Sequence, residues 1–233
     1  MKRLFVILVF VLTLLVGNPV SSADLQKGLD TYVKGDYVTS LRELKPLAEQ
    51  GNDVAQYVIG TMYFLGKGVP KNYETTIKWY RLSAKQGNPI AQLSLGEIYQ
   101  LGRGVPQNYM TAVKWYRLSA EQGNAVAQYK IGAMYQSGSG VSQNFKTAVK
   151  WYGLSAEQGD VDAQFNLGLS FATGKGIPED YVRAHMWMNI ARSQGSERVG
   201  NSMNLIEKLM YPTQLETAQR LASECEEKNY KGC

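Results

Sequence analysis

From residue 51 onward, apolar and polar positions recur with a fixed period. The unit is seen most clearly in Gly87 to Gln122, GNPIAQLSLGEIYQLGRGVPQNYMTAVKWYRLSAEQ. Gly123 to Gln158 repeats it with 23 of 36 positions identical. Gly51 to Gln86 precedes it in the same register, and Gly159 to Gln194 follows with more drift. The four tryptophans, Trp79, Trp115, Trp151 and Trp187, lie 36 residues apart and fix the period independently. A repeat of this length marks supersecondary units stacked side by side.

Within each unit the pattern predicts two helices. Asn52, Asn88, Asn124 and Asp160 stand where a side chain caps the first helical turn. Ala55, Ile59 and Tyr63, with their equivalents, fall on one face of the first helix. Gly60, Gly96, Gly132 and Gly168 lie mid-helix, where glycine costs about 1 kcal/mol against alanine. A cost taken four times at one position predicts close approach of a neighbouring helix. A glycine-rich reversal follows, Gly66-Lys-Gly-Val-Pro and its three counterparts, and its single Val or Ile is expected to plug the end of the core. Asn72, Asn108, Asn144 and Asp180 then cap the second helix, which carries the tryptophan and then Ser83, Ser119, Ser155 or Ala191. With the row that opens each repeat and follows the last (Gly51, Gly87, Gly123, Gly159, Gly195), where a helix C-terminus favours a left-handed residue, these rows hold 17 of the 23 glycines, so the glycine content is turn chemistry and not disorder.

The motif A-Q-x-x-[IL]-G-x-x-Y, then G-x-G-V-P-x-N-Y, then A-V-K-W-Y-x-x-[SA]-A-x-Q-G resembles the Sel-one-like repeat (SLR) family, relatives of tetratricopeptide repeats with a longer turn inside each hairpin. The resemblance covers residues 51–194 tightly and 24–230 loosely. It implies an all-α, right-handed superhelical solenoid of antiparallel helix hairpins, a concave face lined by first helices, binding of proteins or peptides, and usually no catalysis. The chain is accordingly divided into a targeting segment 1–23, a tetratricopeptide-like capping hairpin 24–50, four repeats at 51–86, 87–122, 123–158 and 159–194, and C-terminal capping helices 195–233.

The rows that vary point to the binding surface. In the first helix these are Val54, Ile90, Val126, Asp162; Val58, Ser94, Lys130, Asn166; Thr61, Glu97, Ala133, Leu169; and Leu65, Leu101, Ser137, Thr173. Offsets of four and three place them on one stripe, flanked by Phe64, Gln100, Gln136 and Ala172. Rows that build the hairpin stay fixed, so the stripe is expected to be exposed and, by analogy with tetratricopeptide repeats, to line the concave groove. The candidate contacts are Val58, Thr61, Phe64, Ser94, Glu97, Gln100, Lys130, Ala133, Gln136, Asn166 and Leu169. The stripe runs from apolar to polar, which suits an extended segment of mixed character. Lys78, Arg81, Lys85, Lys114, Arg117 and Lys150 form a second, basic stripe on the second helices, read as a solvated outer face.

Met1 to Ala23 has a basic start at Lys2 and Arg3, an apolar core from Leu4 to Val16 and the small residues Val20-Ser-Ser-Ala23, the pattern of a cleaved secretory signal. The alternative is an uncleaved membrane anchor, but the 13-residue apolar run is short for a span, which needs roughly 20. The reading is periplasmic or secreted, with no membrane span after signal removal. Its loss leaves 23 basic and 20 acidic residues, a net charge of +3 that does not call for nucleic acid. In an oxidising compartment Cys225 and Cys233, eight apart, invite a disulfide; the alternative is free thiols. Pro46 should kink the second helix of the N-terminal hairpin, and Thr213 should cap the last helix.

No catalytic, metal or cofactor set is recognised. His185, the single histidine, replaces an apolar residue of the row Ile77, Val113, Val149 and reads as packed. Two cysteines without a nearby histidine fall short of a zinc set. The leading reading is a non-enzymatic protein- or peptide-binding scaffold with no cofactor. The alternative is a β-lactam- or cell-wall-interacting enzyme of the kind connected with cysteine-rich SLR proteins, whose repeats carry paired cysteines that are absent here.

Overall fold

The computed structural model describes residues 22–233, and their twelve helices are the only regular elements among them. The targeting segment therefore lies outside the described residues except for its last two. The chain divides into two compact units, one ending at Gln86 and the other beginning at Gly87. The first holds α1 (Ser22–Val33), α2 (Tyr37–Glu49), α3 (Asp53–Leu65) and α4 (Tyr73–Lys85). The second holds α5 (Pro89–Leu101), α6 (Tyr109–Glu121), α7 (Ala125–Ser137), α8 (Phe145–Ala156), α9 (Val161–Thr173), α10 (Tyr181–Ser193), α11 (Val199–Glu207) and α12 (Pro212–Glu227). Each 36-residue repeat is one antiparallel hairpin, α3–α4, α5–α6, α7–α8 and α9–α10.

The helix boundaries follow from capping. Asn52, Asn88, Asn124 and Asp160 each accept the amide of the third helical residue at 2.8–3.0 Å. Asn72, Asn108, Asn144 and Asp180 do the same for the second helices. The backbone amides of this second set also reach back to the first helix, Asn108 to the Tyr99 carbonyl and Asn144 to that of Tyr135, both at 2.8 Å. That bond closes the long turn and sets the hairpin angle. The second glycine of the turn has a separate task. Gly140 (φ +73°) lies directly on the first residue of α6, where an added Cβ would stand 2.4 Å from the Tyr109 carbonyl carbon.

The mid-helix glycines have the predicted cause. A Cβ at Gly60, Gly96 or Gly132 would sit 2.6, 2.4 or 2.8 Å from the ring of Tyr80, Tyr116 or Tyr152 on the partner helix of the same hairpin. At Gly168 the neighbour is Met188, the one departure from tyrosine in that row. These rings, with the Ala, Ile and Met of the first helices, form the core between paired helices.

A second set of contacts joins hairpin to hairpin. Gln56, Gln92, Gln128 and Gln164 are buried although polar. Gln128 donates to the Ala120 carbonyl of the preceding repeat at 3.1 Å and accepts from Gln158 of its own repeat at 2.7 Å. Gln164 repeats the arrangement with Ala156 and Gln194, and Gln56 with Ala48 and Gln86. Ser119 and Ser155 tie the ends of each hairpin by donating to the Pro89 and Ala125 carbonyls at 2.7 Å. Buried amides paired on both sides satisfy the rule that buried polar groups find partners.

The C-terminal helices cover the fourth repeat. Val199, Met203, Ile206, Met210, Ala218 and Ala222 join Met186, Trp187 and Ile190 in one apolar cluster. The Cys225–Cys233 disulfide is formed, and Tyr230 lies over Gly159. The α2 helix runs through Pro46 to Glu49, and the proline, lacking an N–H, gives up the bond to the carbonyl four residues back. One expectation for the ends is corrected. The last helix starts at Pro212, not after a Thr213 cap; proline occupies the first turn, and the Gln214 side chain accepts the Tyr211 amide at 2.9 Å.

Candidate functional site

In the second unit the variable stripe is continuous across α5 and α7. Glu97 faces Lys130 at 4.0 Å, each side chain about half exposed. Ser94, Gln100, Ala133, Gln136 and Leu169 are all half-buried on the same run of first helices. A small cavity of about 90 Å³ lies between Gln136, Tyr152, Leu169, Thr173 and Lys175. In the first unit Thr61 shares a hydrogen bond with the Tyr80 hydroxyl at 3.0 Å, and the Phe64 ring stands edge-on to Tyr73 at 5.7 Å with Lys71 above both.

Two of the predicted contact residues are not exposed. Val58 is 8% exposed and packs with Leu44, Leu47 and Ala48 of α2. Asn166 is also 8% exposed, its amide donating to the Asp162 carbonyl at 2.7 Å. The reason at Asn166 is the C-terminal cap. Arg198 pairs with Asp162 at 2.8 Å and stacks on Phe165 at 4.7 Å, so the segment entering α11 covers the start of α9. A stripe read from one helix does not reveal a neighbour that arrives from outside the repeat.

Gln100 and Gln136 prove more specific than their flanking position suggested. The Tyr116 hydroxyl donates to the Gln100 side-chain oxygen at 2.5 Å, and Tyr152 donates likewise to Gln136. Burial pushes both phenols far above their ordinary pKa, so they remain donors at any physiological pH. Each glutamine is thereby oriented with its oxygen inward. Its side-chain N–H groups have no acceptor among the described residues. The signal was present in the sequence as the pairing of Gln100 with Tyr116 and of Gln136 with Tyr152, both 16 apart. Repeats one and four break the pairing, with Phe64 and Ala172 in the glutamine row and Met188 in the tyrosine row.

Asp160 caps the start of α9. Burial raises its pKa, and Asp162 adds to the rise; the bond from the Ala163 amide and the Lys130 ammonium oppose it. Its folded pKa therefore exceeds the unfolded value, and the penalty on the ionised carboxyl develops as pH rises through the window above the ordinary aspartate range. The other three repeats carry asparagine here. Asp160→Asn is expected to be more stable than the wild type at pH 7, with the gain disappearing by about pH 3, where aspartate is protonated in both states; urea unfolding at the two pH values measures it.

His185 is 1% exposed, with Nε2 3.1 Å from Glu207 Oε1 and Nδ1 buried without a partner among the described residues. It joins α10 to α11. No group of three or more His, Cys, Asp or Glu side chains among the described residues is arranged to hold a metal ion, and no described helix is long and apolar enough to cross a membrane.

Tandem helix hairpins closed by a glycine turn and joined by a buried amide ladder define a helical-repeat protein built from SLR-type units. The Sel1 repeat profile matches residues 53–88, 89–124, 125–160 and 161–196, and the chain belongs to the Sel1 repeat family. It is similar to a Sel1 repeat protein from Oxalobacter formigenes, at 32% identity and a TM-score of 0.71 over 88% of this chain and 77% of that one. It is also similar to c5321, a protective antigen of uropathogenic Escherichia coli strains that displays an SLR fold, at 29% identity and a TM-score of 0.56 over 89% of this chain. The chain spans about half the length of that antigen, 54%. No match was found among curated proteins. Sel1 repeat proteins generally serve as protein-interaction scaffolds, and the family is typically non-enzymatic.

Proposed function

We propose that this protein is a scaffold of the bacterial envelope or its exterior that holds an extended peptide segment of a partner protein along the first helices of its second unit. The carrying observation is the pair Gln100 and Gln136. Each is locked by a buried tyrosine and presents unpaired N–H donors one repeat apart, beside the opposite charges of Glu97 and Lys130. An extended backbone offers carbonyl acceptors at regular intervals and binds well to donors that are already oriented. The export pattern of residues 1–23 and the Cys225–Cys233 disulfide support the envelope assignment.

The double variant Gln100→Glu/Gln136→Glu tests the reading. Glutamate keeps the oxygen that accepts each tyrosine, so the hairpins keep their bonds, but it has no N–H to give. At about 1 kcal/mol per lost hydrogen bond, affinity for the partner should fall roughly 30-fold. The measurement is capture from an envelope extract by the wild type and the variant, followed by titration of the retained partner. Undiminished capture by a folded variant would remove these glutamines from the binding surface.

A further inference from the structure

One first-helix row carries a large apolar residue in three repeats and loses it in the fourth. The row reads Met62, Ile98, Met134, Ser170. Met134 is 3% exposed and joins Ala112 and Tyr116 of the preceding hairpin in one apolar cluster. One repeat later the same neighbours are Ala148 and Tyr152, and they face the shorter Ser170. The cavity of about 90 Å³ lies at this point, bounded also by Gln136, Thr173 and Lys175. An apolar void stays dry and empty, whereas polar walls hold water or a polar group.

The hydrogen-bonding character of the walls is one-sided. All three hydroxyl hydrogens are committed. Tyr152 donates to the Gln136 side-chain oxygen, Ser170 to the Asn166 carbonyl at 2.8 Å and Thr173 to the Leu169 carbonyl at 2.8 Å. The N–H groups of the Gln136 side chain and of the Lys175 ammonium remain to be given. Lys175 Nζ lies 5.7 Å from the centre of the Phe145 ring and has no ion-pair partner among the described residues. An ammonium has three donors, so contact with a ring leaves some for a ligand. Lys175 brings a positive charge to the lining, and no described carboxylate lines the cavity to neutralise it. At about 30 Å³ per water, the space equals roughly three waters, matching the three heavy atoms of a carboxylate.

We infer that this cavity is a carboxylate site, in which the Gln136 side chain and the Lys175 ammonium donate to the two oxygens of a carboxyl group on a partner segment. Donors next to one cation, with no anion beside them, favour such a group over a neutral carbonyl. The glutamine row begun at Gln100 stops at Gln136, since Ala172 follows, so the site stands at the end of the surface proposed above. It shares Gln136 with that surface and rests on that reading for its macromolecular ligand. The carboxyl group can be a chain end or an aspartate or glutamate side chain.

The test titrates the ¹⁵N-labelled full chain with acetyl-Gly-Ser-Gly bearing a free C-terminal carboxyl, with the same peptide amidated, and with acetyl-Gly-Asp-Gly amide. The backbone amide shifts of Ser170 and Lys175 report binding. The free acid, the aspartyl peptide or both should give saturable shifts, and which of them does assigns the source; the neutral amide should give none. Ser170→Met places there the residue of repeat three and fills the cavity; it should weaken binding by about tenfold or more. Lys175→Ser, an exposed change to the residue at position 139, decides the matter if the methionine variant misfolds and should weaken binding by about threefold or more. Lys114→Ser, the same loss of charge on a second helix, should leave it unchanged. Equal shifts with the amidated and free peptides would overturn the assignment. So would no saturable shift from either carboxylate, equal affinity in a folded Ser170→Met, or an equal loss in Lys114→Ser. These peptides are too short to reach Gln100 as well, so their failure removes the carboxylate site and leaves the glutamine surface to its own capture experiment. Undiminished capture by the glutamine variant, with the titration intact, does the reverse.

Discussion

Gly140→Ala is expected to destabilise the protein by about 2–4 kcal/mol, the sum of a left-handed backbone conformation and overpacking against a partner that cannot yield. The new methyl would stand 2.4 Å from the Tyr109 carbonyl carbon and 2.7 Å from the Met110 nitrogen. Both are backbone atoms of the first turn of α6, so relief requires the turn and the preceding helix to separate. Two other glycines calibrate the effect. Gly123 has a positive φ with open space around it, and its alanine variant should lose only the conformational term, about 1 kcal/mol. Gly153 is helical and unobstructed, and its alanine variant should gain up to about 1 kcal/mol. Chemical unfolding of the three variants should therefore rank Gly153→Ala above the wild type, Gly123→Ala below it and Gly140→Ala lowest. If Gly140→Ala proved no worse than Gly123→Ala, the close docking of turn on helix would be wrong.

The second large effect concerns the buried amides. Gln128→Ala should cost about 3 kcal/mol, combining a cavity with the loss of two buried hydrogen bonds. Gln128→Met, close to the same volume but without the amide, isolates the polar part and should cost about 1–2 kcal/mol. Gln158 is exposed, and replacing it with alanine should cost about 1 kcal/mol or less. Because Gln128 spans two repeats, its loss should also broaden the unfolding transition as the repeats uncouple. A sharp transition at wild-type stability in Gln128→Ala would rule out a structural role for the ladder.

Much of the hairpin was legible from residue types alone. Asparagine and aspartate at the helix starts, glycine at the reversals and the four interior glycines each have a local physical meaning, and local meaning survives in a linear string. The buried glutamines were harder to recognise. A polar residue beside alanine in A-Q reads as surface, and only its constancy in all four repeats, against the variation of the neighbouring stripe, hinted that it was fixed by contacts. Those contacts lie 8 residues back and 30 residues ahead, outside any helical window. Val58 and Asn166 were misplaced for a related reason. Exposure on a first helix depends on what a neighbouring element lays against it. At Asn166 that is the non-repeating segment bearing Arg198, for which the period gives no information. The Gln100–Tyr116 and Gln136–Tyr152 pairs were encoded in matched rows, but seeing them needed the hairpin to be closed first.

The polar ladder also bears on how such chains change length. Each buried glutamine looks backward one repeat for its acceptor and within its own repeat for its donor. The turn glycine likewise rests on the helix just before it. Duplicating or deleting one whole 36-residue unit inside the second unit would remake every one of these bonds with an equivalent neighbour and leave no buried amide stranded. An insertion of part of a unit within a helix would put the ladder out of register. The architecture therefore accepts genetic change in whole steps.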